Sequence, residues 1–120
     1  MYNDKVMEIF KNPPNVGEMK NPDAVGSVGN AACGDIMKVF LRIKNGIITD
    51  ASFLTFGCAA AIATSSIATQ MIKGLSIEQA LQITNKQVIE ALEGLPPQKI
   101  HCSVLAEEAI KSAIEGYKKG

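Results

Sequence analysis

The sequence predicts an α+β fold: a small antiparallel sheet of about three strands packed against several α-helices. Three observations predict it. From Asp35 to Lys44 the apolar residues alternate, with Met37, Val39, Leu41 and Ile43 on one side and Lys38, Arg42 and Lys44 on the other, which is the pattern of a half-buried strand. Asn45-Gly46 then supplies a hairpin signal. After Gly57 the chain turns to helical spacing, punctuated by Gly74, Gly94 and a pair of prolines.

The elements follow in order. Asn3 to Phe10 reads as a short helix with Val6, Ile9 and Phe10 as its apolar stripe. Asn12-Pro13-Pro14-Asn15 ends it, because proline has no amide hydrogen to give. Val16 to Ala24 reads as irregular surface chain. Val25 to Asn30 is expected as a short strand, with Val25 and Val28 as its apolar members and Gly26 and Gly29 weakening it. Ile47 to Phe56 returns from the hairpin. A two-residue Asn45-Gly46 loop would set Asp50 and Ser52 on the face of Val39 and Leu41. A three-residue Lys44-Asn45-Gly46 loop sets Val39 against Ala51 and Met37 against Phe53, a more apolar face, so the bulged three-residue turn is expected. Either register carries Cys33 and Cys58 to the same end of the sheet, with position 33 opposite position 57 or 58.

Cys58 opens a helix running to Lys73, rich in Ala, Ser and Thr, with Gly74 as its C-terminal stop. Ser76 with Gln79, and Thr84 with Gln87, are two capping boxes that start further helices; Gly94 closes the second. Leu95-Pro96-Pro97-Gln98-Lys99 is expected to be extended. Ser103 is the expected N-cap of the last helix, whose packing stripe is Leu105, Ala109, Ala113 and Tyr117. Glu107 and Lys111 stand one turn apart on its wet face.

The totals exclude several classes. At 120 residues and 47% apolar content, the chain reads as one domain over residues 1–120. Twelve basic and twelve acidic residues cancel, so there is no basic face to grip nucleic acid. There is no apolar run of roughly 18 residues, so no membrane span is expected. Met1-Tyr2-Asn3-Asp4-Lys5 has no signal-peptide core. The expected location is therefore cytoplasmic, where thiols stay reduced. Three cysteines is an odd number, which also argues against a disulfide framework.

All three cysteines and the single histidine fall in three short stretches: Cys33-Gly34-Asp35, Gly57-Cys58-Ala59 and Lys99-Ile100-His101-Cys102. None of the cysteines lies inside an apolar stripe, where an inert packing cysteine belongs. Cys58 and Cys102 are expected at helix starts, where the backbone dipole favours a thiolate. Three thiolates need a fourth ligand for tetrahedral iron or zinc, and Asp35 and His101 are the candidates. A permanent iron–sulfur protein normally uses four cysteines. A carboxylate or imidazole in place of one thiolate weakens the hold on iron, which suits a site that assembles a cluster and gives it up.

These residues carry a family resemblance. Ala32-Cys33-Gly34-Asp35-Ile36-Met37-Lys38, Thr55-Phe56-Gly57-Cys58 and Leu95-Pro96-Pro97-Gln98-Lys99-Ile100-His101-Cys102-Ser103 resemble the three cysteine motifs of iron–sulfur cluster assembly scaffolds of the IscU type, related to the N-terminal domain of NifU. Asn12 to Gly17 also matches, with Pro14 where arginine is common, and the likeness covers nearly the whole chain. The resemblance implies that Cys33, Asp35, Cys58 and Cys102 bind a [2Fe–2S] cluster, with His101 as an alternative ligand. It implies a cysteine desulfurase that delivers persulfide sulfur to Cys102 or Cys58. Apo iron–sulfur proteins would receive the cluster, and a homodimer linked by the cluster is open. Residues Leu95, Pro96, Pro97, Gln98 and Lys99 would be read by an Hsp70-type chaperone, although the family has valine where this chain has Gln98. Lys99 is a charged partner for the site or for that chaperone.

Such a chain is a scaffold and carrier, not a turnover enzyme. The competing class is a zinc-dependent sulfurtransferase like SufU, in which zinc takes the same ligands. SufU carries an insertion between its second and third cysteines that the interval from Cys58 to Cys102 lacks, and full NifU continues into further domains where this chain ends at Gly120. A thiol hydrolase using Cys102 and His101 is disfavoured, since adjacent residues rarely aim an imidazole at the neighbouring sulfur.

Overall fold

The computed structural model describes residues 3–30 and 35–119. In chain order these form α1 (Asp4–Lys11), β1 (Ala24–Asn30), β2 (Asp35–Lys44), β3 (Ile47–Phe56), α2 (Ala59–Ile72), α3 (Ile77–Leu81), α4 (Asn85–Ala91), a 3₁₀ turn (Pro97–Lys99) and α5 (Ile100–Lys119). The sheet is an antiparallel meander in the order β1-β2-β3, so the α+β expectation holds.

The alternation of β2 sets the inside of the molecule. Met37, Val39, Leu41 and Ile43 are buried in one cluster with Ala63, Ala68 and Ile72 of α2 and Leu105, Ala109, Ile110, Ala113 and Ile114 of α5. Both long helices thus lie on the same face of the sheet, α5 over β1 and β2, and α2 over β3 and β2. Phe40 is buried although it shares the outward parity of Lys38 and Arg42. The Lys38 ammonium stands 5.7 Å from its ring centroid.

The hairpin differs from both expected registers. The loop has two residues, Asn45 and Gly46, with φ of 53° and 76°, and Lys44 pairs with Ile47. That is the left-handed pair of conformations whose twist matches the strands. A bulge then follows: Ile43 pairs with Ile48, but Arg42 pairs with Asp50, leaving Thr49 as the extra residue. The bulge restores Val39 opposite Phe53 and Leu41 opposite Ala51. The tight turn and the apolar face are therefore both satisfied, at the cost of one unpaired residue rather than a longer loop.

Several expectations need correction. In β1 the inward side is Ala24, Gly26 and Val28, while Val25 is exposed. Gly26 does not weaken this strand; it admits α5, because a Cβ there would lie 2.2 Å from the Ala109 carbonyl oxygen. Phe10 and Tyr117 are exposed at the ends of their helices. Leu105, Ala109 and Ala113 are buried as expected, and Ile110 and Ile114 complete the inward stripe of α5 in place of Tyr117.

Both capping boxes form as expected, Ser76 with Gln79 and Thr84 with Gln87. Asn3 caps α1, accepting from the Val6 amide at 2.9 Å. Its amide group donates to the carbonyls of Leu92, Glu93 and Gly94, fastening the start of the chain to the end of α4. Residues Asn15 to Gly17 cover the free edge of β3 at Phe53 through two backbone hydrogen bonds, which shortens the stretch open to pairing with another chain.

The segment before α5 is also not extended throughout. Pro96 is extended, but Pro97 opens the 3₁₀ turn that leads directly into α5 at Ile100. Proline is tolerated there because a first-turn amide has no intrahelical partner. Ser103 is consequently inside the helix, its hydroxyl donating to the Ile100 carbonyl at 2.6 Å.

Candidate metal centre

The start of β2 and the end of β3 lie side by side, with Ile36 paired to Phe56. One residue further along each strand stand Asp35 and Gly57, and Cys58 follows as the N-cap of α2. The small residues of α2 have a use the sequence did not disclose. Ala60 and Ala61 form a second small cluster with Cys102, against which Cys58 and Leu95 pack. Having no bulk, these alanines let the start of α2 approach the first turn of α5. Thr64 helps hold that turn, its hydroxyl donating to the carbonyls of Ala61 at 3.0 Å and Cys102 at 3.4 Å. The sequence offers no signal for Thr64, and it marks Ala60 and Ala61 only as small residues that allow close packing onto a sheet.

Three ligand atoms converge: the Sγ atoms of Cys58 and Cys102 and a carboxylate oxygen of Asp35 all lie within 4.8 Å of one another. The two sulfurs are 3.9 Å apart, too far for a disulfide bond. Two thiolates on one tetrahedral ion, with metal–sulfur bonds of about 2.3 Å, stand about 3.8 Å apart. The spacing therefore suits a shared metal. Cys102 Sγ is 3.9 Å from Asp35 Oδ2. His101 Nε2 is 3.3 Å from the same oxygen and 3.6 Å from Cys102 Sγ. Asp35 and His101, the two candidates for a fourth ligand, are thus both at the site. Cys33 lies outside the described residues.

Burial grades the site. Cys102 is fully buried and Asp35 is 5% exposed, while Cys58 and His101 are partly open to solvent. Burial pushes the Cys102 thiol well above its usual range; Cys58 and Asp35 push it the same way and Lys99 opposes them. The expectation that a helix start would favour a thiolate fails for Cys102. Desolvation and two neighbours that also carry negative charge when ionised outweigh the dipole. The 3₁₀ turn also places that cysteine a turn inside the helical run. A metal ion supplies the positive charge that such a thiol needs before it deprotonates.

The adjacent pair His101 and Cys102 does meet, contrary to expectation, yet it does not make a hydrolytic site. The same nitrogen, Nε2, faces both Asp35 and Cys102, whereas a base oriented for thiol activation uses one ring nitrogen for each partner. The upward shift of the thiol also opposes nucleophilic use.

Around the centre, Pro97 and Gln98 are exposed, and Leu95, Pro96 and Lys99 are partly covered. Ile36, Phe56 and Ile100 are exposed, and each is next to or two residues from a site residue.

Residues 1–120 match the model of the NifU-like N-terminal domain, and the chain belongs to that family. Within it the chain is similar to proteins named iron–sulfur cluster assembly scaffold protein IscU. One from Archaeoglobus fulgidus is 56% identical, over 98% of this chain and 76% of the relative. One from Haemophilus influenzae is 50% identical over 98% and 95%, and one from Azotobacter vinelandii is 51% identical over 98% and 94%. Among solved structures, the N-terminal part of a NifU-like protein from Brucella abortus superposes with a TM-score of 0.77 at 20% identity, covering 98% of this chain and 94% of that one. A proposed SUF-system scaffold from Fervidobacterium islandicum reaches 0.80 at 20% identity, covering 94% and 96%. These two likenesses speak for the fold. No helix among the described residues is long and apolar enough to cross a membrane.

Proposed function

We propose that this chain is a scaffold on which a [2Fe–2S] cluster is assembled from iron and donated sulfur and then passed to apo-proteins. The observation that carries it is the mixed ligand set at one point, two buried or half-buried thiols with a carboxylate. Soft sulfur ligands hold iron and the harder oxygen holds it less well, so the site can release what it builds. The relatives named as IscU scaffolds support the same reading.

In this reading Cys58, Cys102 and Asp35 hold the cluster with Cys33, and His101 is the alternate ligand. Of the two candidate acceptors of persulfide from a cysteine desulfurase, Cys102 and Cys58, the more open Cys58 is favoured, because burial pushes the Cys102 thiol up. The exposed Pro97 and Gln98, with Leu95, Pro96 and Lys99, form the segment an Hsp70-type chaperone would grip. The chain acts as a carrier rather than a turnover enzyme, in the cytoplasm. A homodimer bridged by the cluster is compatible with the open side of the site.

The test is anaerobic reconstitution with ferrous iron, cysteine, a desulfurase and a thiol reductant that brings the persulfide sulfur to sulfide, followed by Mössbauer and visible spectra and then addition of apo-ferredoxin. A [2Fe–2S] spectrum that moves to the ferredoxin is expected. A single tightly held zinc with persulfide on a cysteine, and no transferable cluster, would replace the reading with a zinc sulfurtransferase, for which the spacing of the two sulfurs is also suitable. Asp35→Ala is expected to slow transfer, because it removes the harder ligand that lets the cluster go. Transfer as fast as in the parent would remove Asp35 from the role of labile ligand.

A further inference from the structure

Gly57 has no backbone reason to be glycine. Its φ is not positive, unlike that of Gly46, Gly74 and Gly94, so a left-handed backbone is not what calls for glycine there. What excludes a side chain is the site itself. A Cβ at position 57 would lie 2.4 Å from Asp35 Oδ1, 3.0 Å from its Cγ and 3.1 Å from the Ala61 Cβ. The first two contacts are with the end of one buried carboxylate, whose other oxygen faces His101 and Cys102.

We propose that Gly57 is a positioning residue: its bare Cα reserves the volume in which the Asp35 carboxylate sits, so that the carboxylate reaches the metal beside Cys58 and Cys102. The inference rests on Asp35 being a metal ligand. The Asp35 side chain can rotate, whereas the strand ends on either side of it are paired into the sheet. A methyl group at position 57 therefore displaces the carboxylate before it displaces the backbone. Gly57→Ala should thus leave the fold in place and reproduce the loss of Asp35.

The experiment uses the full chain loaded with Co(II) or Zn(II) alone, so that it does not depend on cluster assembly. Visible ligand-field spectra of the Co(II) form and competition for Zn(II) are compared among the parent, Gly57→Ala, Asp35→Ala and the double variant. Amide proton–nitrogen spectra check that each is folded. The expected result is that Asp35→Ala changes the Co(II) bands and weakens Zn(II) by about tenfold. Gly57→Ala matches it in both, and the double variant is no worse than Asp35→Ala. Four results would overturn the proposal. Asp35→Ala could leave the bands unchanged, or Gly57→Ala could resemble the parent. The effect of Gly57→Ala could also persist in the Asp35→Ala background, or be rescued by Ala61→Gly, which would assign it to the Ala61 contact. If clusters are never transferred but the metal pattern is as expected, the scaffold reading fails and the role of Gly57 stands.

Discussion

Gly26 and Gly57 both stand where another part of the molecule comes too close for a side chain, but what comes close differs. Gly26 in β1 faces backbone: a Cβ would meet the Ala109 carbonyl at 2.2 Å and the Ala113 nitrogen at 2.5 Å. Gly57 faces the tip of one side chain, the carboxylate of Asp35. The first glycine lets a helix lie against the sheet. The second lets a functional group lie in the site. A rigid obstacle transmits strain to the whole fold; a rotatable one absorbs it by leaving its place. The same residue type thus serves packing in the middle of the sheet and, in the proposed reading, the metal site at its end.

The largest expected effect tests the first half of that contrast. Gly26→Ala should destabilise the protein by about 3 kcal/mol or more, the upper range for overpacking, and lower the melting temperature by roughly 10 °C. Calorimetry reads this directly, and a melting temperature within a degree or two of the parent would show that α5 can shift away without loss. Gly57→Ala should be much milder in the same calorimeter, below about 1 kcal/mol for a side chain that can rotate away, while changing the metal spectra. If it unfolds the protein instead, the two glycines are alike and the contrast disappears. The smallest effect comes from Gly116, on the exposed surface of α5, where an added Cβ meets nothing within 4 Å. Gly116→Ala should stabilise by about 0.5–1 kcal/mol through helix propensity alone, less if the end of α5 frays. Denaturant titration would show it as a higher midpoint with an unchanged slope.

Much of this was legible beforehand because it is written in local pattern. The alternation of Met37, Val39, Leu41 and Ile43 named the inner face of β2. The two capping boxes placed the starts of α3 and α4. The hairpin signal, with strands of known direction on either side, was enough to set Cys58 beside the end of the sheet where the start of β2 meets the end of β3; its expected companion there, Cys33, lies outside the described residues. Cys102 and His101 joined them only through the resemblance and the bias against inert cysteines, since nothing local says where a distant helix docks.

Other features were not legible because they depend on competition between elements. The two-residue turn and the apolar face demanded different registers, and the chain met both by bulging at Thr49. Pro97 was expected to keep the chain extended, but at the first position of a 3₁₀ turn it has no amide bond to lose. Tyr117 continued a stripe in sequence, yet it lies exposed near the end of α5.

The classes of element, most of the faces they present and the kinds of ligand available follow from side-chain chemistry and a period of two or three to four residues. The register of the hairpin, the burial that pushes the Cys102 thiol up, the contact of His101 with both Asp35 and Cys102, and the volume at Gly57 that the Asp35 carboxylate fills come from the packed fold. Those depend on distances between segments far apart in the chain, which are set by packing and desolvation when all the elements close on one core.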